Sequence, residues 1–425
     1  FLCPRRPRGP NQAEASSAKF FAATALGTSE YVRRIYTNRF DWWYQSGSSP
    51  AISEKNGRTV ACNKEIIYPR NRLRLKSLNY SQKQKDDRMT ENVNRQIRLA
   101  ARPVGLPKDS DWDLVEESVP GPGPGEVLVK NRFLSIDPAM RGWMNDRKTY
   151  VPPLPLGAVM RALTVGEVIE SENSDFAPGD PVAGLGGVQT FALGDGRDLQ
   201  KIDLSLAPLP VWLDTLGIAG LTAYCGLLEV GEPKEGDTVL VSGAAGSVGA
   251  HVGQIAKIKG CRAIGIAGGA KKCSYLMEQL GFDAAIDYKN EKLSDGLKRA
   301  CPEGIDIYFD NVGGDTLNTA LARINVGARV VICGAISQYN ATDISSGPSA
   351  YINLLGRSSR MQGFIYFDYR SKWPTMQKDL AEWRTTGKIS TEHDIAQGDV
   401  DIFPDTLLRL FRGDNFGKLM IELPV

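Results

Sequence analysis

The stretch that decides the fold is Leu240-Val241-Ser242-Gly243-Ala244-Ala245-Gly246-Ser247-Val248-Gly249, which lies between a strand-like apolar pattern and a helical pattern. Glycine residues allow the backbone to come close to a pyrophosphate, and the free N–H groups and the dipole at the start of the next helix attract that anion. A glycine-rich turn is weak by itself, because any tight turn between a strand and a helix can use glycine. The stretch therefore predicts a dinucleotide-binding turn only together with its surroundings.

Short apolar runs alternate with helical patterns from residue 237 onward. The runs begin 21 to 24 residues apart, and they are Thr238–Val241, Cys261–Ile266, Ala284–Ile286, Ile305–Phe309 and Arg329–Cys333. A strand, a helix and two short loops fill such a spacing, which is typical of β-α-β crossovers. We therefore predict an α/β fold with a doubly wound parallel sheet, and this context favours dinucleotide binding by the glycine-rich turn.

The region from Asn94 to Leu213 has a different pattern. Its short strand-like runs follow turns rich in Pro and Gly, as Glu126–Lys130 follows Pro120–Gly125. Short strand-like runs separated by turns rich in Pro and Gly predict a β-rich domain. Near the C-terminus, an amphipathic stretch is followed by the strand-like run Lys418–Leu423.

The formal net charge of +2 conceals an asymmetry along the 425 residues. Residues 1–88 contain 17 Lys and Arg and 7 Asp and Glu, whereas the remaining residues contain 34 and 42. Three interpretations of this extension remain open: translated upstream sequence or a cloning artefact, an organelle transit peptide, or a basic arm for nucleic acid or membrane. We expect the first, with a disordered or artefactual extension and a natural start at Met89.

Several classes of protein are disfavoured by what the sequence lacks. No apolar stretch approaches the roughly 20 residues of a membrane helix, so we predict a soluble protein without a membrane partner. The seven cysteines include no C-x-x-C pair, which favours reduced thiols and a cytoplasmic location. The two histidines, His251 and His393, have no ligand-like spacing, so we predict no metal. Without a metal or a histidine base, hydride chemistry would depend on the cofactor and on hydrogen-bond donors.

The end of the second strand distinguishes NAD from NADP. An acidic residue there would bind the ribose hydroxyls, but this chain has Lys271 and Lys272 instead, which favours NADP(H). The alternative is that these lysines only cover an exposed helix. Asp310–Gly314 lies where it could line the nicotinamide ribose, or it could form an Asx turn. Tyr339 could donate to an oxyanion, although loop tyrosines are more often packing residues.

The chain resembles the zinc-free medium-chain dehydrogenase/reductases, in the prostaglandin and leukotriene reductase branch with the curcumin and alkenal double-bond reductases. The stretches that carry the resemblance are Ser135–Gly142, Gly220–Tyr224, Ser242–Gly249, Asp310–Gly314, Cys333–Asn340 and Gly413–Lys418. The sequence departs from the family pattern at Ala139, where an aromatic residue is common, and at Gly269, where a serine often contacts the phosphate. The first departure concerns the shape of the substrate site and the second the strength of the NADP preference.

The resemblance implies a GroES-like catalytic domain with an inserted Rossmann domain. The implied bounds are 89–215 for the first part of the catalytic domain, 216–385 for the NADP-binding domain and 386–425 for the return to the catalytic domain. Cofactor contacts are implied for Ala245, Gly246, Ser247, Val248, Gly249, Gly268, Lys272, Tyr288, Asn311, Cys333, Ser337, Tyr339, Phe364, Ile365 and Asn415. Tyr339 is the implied catalytic residue, and Tyr150 and Arg141 are expected at the substrate pocket.

The activity implied is NADPH-dependent reduction of a carbon–carbon double bond conjugated to a ketone or aldehyde, of the oxoprostaglandin, alkenal or curcumin reductase type. Tyr339 would stabilise the enolate oxygen. One alternative is an NADPH quinone oxidoreductase. Another is a non-enzymatic NADPH-binding or RNA-binding protein that uses residues 1–88 as a basic arm. We expect a small-molecule unsaturated carbonyl as partner, a homodimer, and no nucleic acid.

Overall fold

A computed structural model describes residues 93–343 and 346–424. The extension 1–88, and with it every interpretation of that extension, lies outside the described residues. The description therefore begins at the strand that follows Asn92.

The first part of the described chain is rich in β-structure, as predicted. Its strands are β1 (Val93–Leu99), β2 (Trp112–Ser118), β3 (Val127–Ser135), β4 (Thr164–Ser171), β5 (Pro181–Gly184), β6 (Phe191–Gly194) and β7 (Leu199–Lys201). β1 and β2 pair as an antiparallel hairpin, and the long strand β3 pairs antiparallel with both β4 and β6. The short runs between Pro and Gly turns have thus become a meandering antiparallel sheet.

The second part is a parallel sheet of six strands in the order β10-β9-β8-β11-β12-β13. The strands are β8 (Thr238–Ser242), β9 (Arg262–Ala267), β10 (Ala284–Asp287), β11 (Ile305–Asp310), β12 (Ile324–Ile332) and β13 (Arg360–Gly363). The order reverses beside β8, which is the switch point of a doubly wound sheet. The predicted α/β architecture is confirmed, because all five apolar runs have become neighbouring parallel strands.

The last two strands return to the first sheet. β14 (His393–Gln397) pairs parallel with β15 (Lys418–Glu422), and β15 pairs antiparallel with β3. Together with β3–β7 they form a sheet of seven strands. The C-terminal strand-like run therefore joins a sheet in which β3–β7 come from residues 127–201 and β14 comes from residues 393–397.

Helices cover the parallel sheet and connect the two sheets. They are α1 (Ala139–Trp143), α2 (Leu209–Leu213), α3 (Ile218–Tyr224), α4 (Ser247–Ile258), α5 (Ala270–Glu278), α6 (Leu293–Ala300), α7 (Gly314–Leu321), α8 (Ile352–Gly356), α9 (Trp373–Thr385) and α10 (Phe403–Arg412). A π-helix spans Cys225–Gly231, and short 3-10 turns span Asp109–Asp111, Ile336–Gln338, Ser349–Tyr351, Tyr366–Lys372 and Val400–Ile402. Helix α4, which follows the glycine-rich turn, buries Val252, Ile255 and Ala256 completely. Burial of such an aliphatic side chain contributes roughly 1.5–3 kcal/mol for Val or Ile, so the helix is firmly packed on the sheet.

The glycine-rich turn meets the C-terminal return segment. Gly246 forms an isolated parallel bridge with Gly417, and the Gly417 N–H donates to the Ala245 carbonyl at 3.0 Å. The turn is therefore joined by backbone hydrogen bonding to the loop that leads into β15. This contact places the carboxyl end of β8 beside the β-rich sheet.

Candidate active site

The glycine-rich turn has the geometry of an anion cradle. Gly243 has φ +60°, a conformation that side chains disfavour, and a Cβ on Gly249 would lie 2.5 Å from the Gly243 carbonyl oxygen. The first turn bond of α4 joins the Ala250 N–H to the Gly246 carbonyl, so the N–H groups of residues 247–249 lie ahead of it. Ala245, Gly246 and Val248 lie in the same turn. The backbone N–H groups at this helix start fit a pyrophosphate.

The side chain of Ser247 is hydrogen-bonded within the protein. Its hydroxyl donates to the carboxylate of Asp214, which is completely buried. The side chain is therefore engaged inside the protein, and the backbone N–H is the part of Ser247 that faces an anion at the helix start.

The carboxyl ends of β9 and β10 bring a second group of predicted residues together. A Cβ on Gly268 would lie 2.9 Å from the Tyr288 hydroxyl and 3.0 Å from Lys289 Cε. Lys272 lies on the first turn of α5, where its ammonium donates to the Gly413 carbonyl at 2.8 Å. Gly268, Tyr288 and Lys289 thus lie together at the carboxyl ends of β9 and β10, with Lys272 nearby, and we refer to these four residues as a corner. That Lys272 and Tyr288 bind the adenosine 2′-phosphate end of NADP stays a prediction.

Two ammonium groups lie near one another at this corner. Burial lowers the pKa of Lys272 and the nearby charge of Lys289 lowers it further, whereas Asp414 and Asp394 raise it. Two neighbouring ammonium groups repel one another, and an anion bound between them stabilises both charges. The corner therefore fits a phosphate, and Lys289 is a member of it that the sequence analysis missed.

Asp287 is a second missed residue at this corner. Its carboxylate accepts hydrogen bonds from the backbone N–H groups of Gly269 and Lys289. It therefore holds the loop after β9, where Gly269 adopts φ +97°. Both Asp287 and Lys289 lie at the carboxyl end of β10, and the rule that ligands bind at the carboxyl ends of parallel strands could have pointed to them.

The loop after β11 is organised by Asp310. Its Oδ1 accepts hydrogen bonds from the hydroxyls of Ser242 and Tyr308 and from the N–H groups of Val312 and Gly313. The Asx turn given as an alternative for Asp310–Gly314 is therefore present, with Asp310 as its acceptor. The Asn311 amide donates to the Ser242 carbonyl at 2.7 Å, which fastens this loop to the end of β8.

The loop after β12 holds Cys333, Ser337 and Tyr339. The Ala335 N–H donates to the Tyr339 hydroxyl at 3.2 Å, and a Cβ on Gly334 would lie 3.0 Å from that oxygen. Because the phenol oxygen accepts in this contact, its proton is available to a further acceptor. Burial raises the pKa of Tyr339, so the phenol is protonated at neutral pH. Ser337 Oγ donates to the Val312 carbonyl at 2.6 Å and joins this loop to the preceding one.

The other predicted cofactor contacts are Phe364, Ile365 and Asn415. Phe364 packs edge-to-face on Phe309 with a centroid separation of 6.3 Å, directly before half-buried Ile365. Asn415 is buried, and its amide donates to the Gly417 carbonyl at 3.2 Å. Since Gly417 also bridges Gly246, Asn415 lies beside the predicted pyrophosphate turn.

Tyr150 and Arg141 have different surroundings. Trp143 Nε1 donates to the Tyr150 hydroxyl at 3.1 Å, and Tyr150 is 43% exposed. Arg141 is buried and donates to the carbonyls of Pro103 and Gly105 and to Asn340 Oδ1. Instead of lining a pocket with a free guanidinium, Arg141 ties the residue next to Tyr339 to the β-rich part of the chain.

The comparisons with known proteins agree with this geometry. A family profile described as the N-terminal domain of oxidoreductase matches residues 95–202, and one described as zinc-binding dehydrogenase matches residues 247–382. The NADPH-dependent curcumin reductase of Escherichia coli is 42% identical over 336 residues, which cover 78% of this chain and 97% of that protein. Prostaglandin reductase 1 of Oryctolagus cuniculus is 41% identical over 324 residues, with 75% and 90% covered. The chain belongs to the medium-chain dehydrogenase/reductases, in the branch of the curcumin and prostaglandin reductases.

A solved structure supports the same placement of this medium-chain reductase. The crystal structure of CurA in complex with NADPH from Vibrio vulnificus has a TM-score of 0.74 and 41% identity, with 78% of this chain and 99% of that chain covered. Within the described residues, no group of three or more His, Cys, Asp or Glu side chains could hold a metal ion. No helix in residues 93–343 and 346–424 is long and apolar enough to cross a membrane.

Proposed function

We propose that the protein is an NADPH-dependent reductase of carbon–carbon double bonds conjugated to a ketone or aldehyde. The observation that carries this proposal is the Tyr339 hydroxyl, which accepts from Ala335 and keeps its own proton for a substrate oxygen. The names of the related curcumin and prostaglandin reductases point to the same class of reaction.

The cofactor is held at three places. The N–H groups at the start of α4 bind the pyrophosphate, Lys272, Lys289 and Tyr288 bind the 2′-phosphate, and Asn311 lies toward the nicotinamide ribose. The fit is supported by the close approach at Gly249, which a Cβ would fill at 2.5 Å, and by the adjacent ammonium groups. NADPH bound there supplies a hydride to the β carbon of the substrate.

Tyr339 performs the part of the reaction that the chain itself contributes. Its phenol donates a hydrogen bond to the carbonyl oxygen, on which negative charge develops as the enolate forms. Burial raises the pKa of Tyr339, so the group remains a donor and does not become a competing phenolate. The proton for the α carbon comes from solvent, since both histidines lie elsewhere: His251 Nδ1 bonds to the Ser247 carbonyl, and His393 Nε2 bonds to Asp214.

A quinone reductase is the alternative that shares this cofactor site. NADPH oxidation measured with a matched set of enals, enones and quinones distinguishes the two. We expect kcat/KM for enones and enals to exceed that for quinones. A preference for quinones would replace the proposed activity with the alternative.

We propose that two copies of the chain associate through the edge of the parallel sheet. Strand β13 pairs only with β12 among the described strands, and the surface near it includes Leu355 at 78%, Val326 at 72% and Tyr351 at 61% exposure. An uncovered edge strand beside apolar side chains is suited to pairing with the same strand of a second copy around a twofold axis. Light scattering should give a dimer for the wild type and for the control Leu114→Glu, and a monomer for Leu355→Glu. A monomeric wild type would contradict the proposal.

We propose a reducing compartment, the cytoplasm, as the location. The cysteines of the described residues, Cys225, Cys261, Cys273, Cys301 and Cys333, are all free thiols.

Binding of RNA would depend on residues 1–88, so retention on RNA should be absent in a chain that begins at Met89. A measured salt-dependent retention by that shorter chain would contradict this part of the proposal.

A further inference from the structure

Asp214 is a completely buried carboxylate that the activity described above does not use. It lies between α2 and α3, in a position where three segments of the chain meet. Its Oδ1 accepts from the Ser247 hydroxyl, while its Oδ2 accepts from Thr391 Oγ1 at 2.7 Å and lies 3.2 Å from His393 Nε2. A buried charge with this many donors is retained by a specific arrangement of partners.

Both histidines of the chain lie at this carboxylate. His251 Nδ1 is 3.9 Å from Asp214 Oδ1, and it donates to the Ser247 carbonyl at 2.7 Å, because a carbonyl oxygen can only accept. Its other nitrogen lies 3.0 Å from Thr215 Oγ1. Ser247 is therefore held twice, through its hydroxyl by Asp214 and through its carbonyl by His251.

The carboxylate is ionised in this position. Burial alone would raise the pKa of Asp214, but His251, His393 and the Ser247 hydroxyl more than offset this effect and bring it below the usual aspartate value. Because Asp214 bonds to the side chain of Ser247, it leaves the backbone N–H groups of the first turn to an external anion.

The same face of α4 is fastened to the segment that leads into β14. The Gln254 amide donates to the Ser390 carbonyl at 2.8 Å, and the Ser390 N–H donates to Gln254 Oε1 at 2.8 Å. Thr391 and His393, which bond to Asp214, are the next members of this segment. Asp214 thus connects the start of α4 to β14 of the β-rich sheet.

We propose that Asp214 is a positioning residue for the cofactor pyrophosphate, which it acts on through Ser247. It fixes the first turn of α4 so that the backbone N–H groups point to the phosphates, and it ties this turn to residues 391–393. The inference rests on the proposed use of NADPH. Preorganisation of donors reduces the cost of binding, so its loss should appear in NADPH affinity rather than in the rate at saturation.

The variant Ser247→Ala tests the inference. Asp214→Asn is less suitable, because it would leave an unpaired amide in the core. We expect the Kd of NADPH, measured by fluorescence titration, to rise about tenfold, because a hydrogen bond to a charged group is lost. The value of kcat at saturating NADPH should stay within about twofold. Ser247→Thr retains a hydroxyl and should restore the Kd to within about threefold of the wild-type value.

Two further variants keep the test decisive. Thr391→Val removes a hydrogen bond from the opposite side of Asp214 and should raise the Kd in the same direction. Thr406→Ala is the matched control. It removes a buried hydroxyl of α10 that donates to the Ile402 carbonyl at 2.8 Å, and it should leave the Kd of NADPH unchanged. Equal Kd values of NADPH for wild type, Ser247→Ala and Thr391→Val would overturn this inference but not the proposed function. Absence of NADPH binding by the wild type would overturn the proposed function as well.

Discussion

Replacement of Tyr339 by Phe removes the proton donor on which the proposed mechanism depends. The phenol oxygen accepts from Ala335 N–H at 3.2 Å, so its own proton is the group that a substrate oxygen would meet. Loss of one donor to a developing oxyanion typically costs about 2.7–4 kcal/mol. Because Tyr339 is half-buried, we take the lower value, which corresponds to a decrease of about 100-fold in kcat.

The same substitution has a small structural cost. The Ala335 N–H loses its acceptor, which costs about 1 kcal/mol in the free energy of unfolding. NADPH affinity should change less than twofold, because the Tyr339 hydroxyl bonds to its own loop and not to the turn after β8. Turnover and affinity should therefore respond differently.

The assay is steady-state oxidation of NADPH with an enone, together with the Kd of NADPH for each variant. Tyr150→Phe is the matched control, since Tyr150 also carries a phenol oxygen that accepts from an N–H, in this case Trp143 Nε1 at 3.1 Å. We expect Tyr150→Phe to lower kcat much less than Tyr339→Phe. Unchanged kinetics in Tyr339→Phe, or an equal loss in both variants, would refute the assigned role.

Two other predictions concern charge and thiol reactivity. Lys289→Gln should raise the Kd of NADPH about three- to tenfold and change that of NADH less than twofold, and high salt should narrow the difference between variant and wild type. Equal changes in the Kd of NADPH and the Kd of NADH would show that Lys289 does not contact the 2′-phosphate. Burial raises the pKa of the Cys333 thiol to about 12, so the protonated form dominates below that pH. Alkylation of Cys333 by iodoacetamide, followed by mass spectrometry, should be slow at pH 7 and accelerate about tenfold per pH unit up to that value. Rapid alkylation at pH 7 would contradict the protonated state.

The parallel sheet could be predicted closely because its information is local. The run Thr238–Val241 became a strand that ends at Ser242, and the helical pattern from Val248 became α4, Ser247–Ile258. Periodic burial leaves a pattern in consecutive residues. Strand β13 has no such pattern in its sequence, because all four of its residues are exposed at the edge of the sheet.

The contacts that organise the site could not be predicted, because they join residues far apart in the chain. Asp214 bonds to Thr391 and His393, and Arg141 bonds to Asn340, across separations that no local pattern reports. The sequence analysis assigned Ser247 to the phosphate and Arg141 to a pocket from the position of their motifs. The structure adds that both side chains are engaged by protein groups. Motif position therefore pointed to loops whose contact with the cofactor stays a prediction, and it did not reveal which side-chain atoms are already bonded within the protein.

The central claim is that this enzyme reduces the carbon–carbon double bond and leaves the carbonyl group intact. The most direct measurement is mass spectrometry and NMR of the product formed from an enone with NADPH in which both hydrogens at carbon 4 of the nicotinamide are replaced by deuterium. We predict a saturated ketone that carries deuterium at the β carbon. An allylic alcohol with deuterium at the carbonyl carbon, or no deuterium transfer at all, would contradict the account.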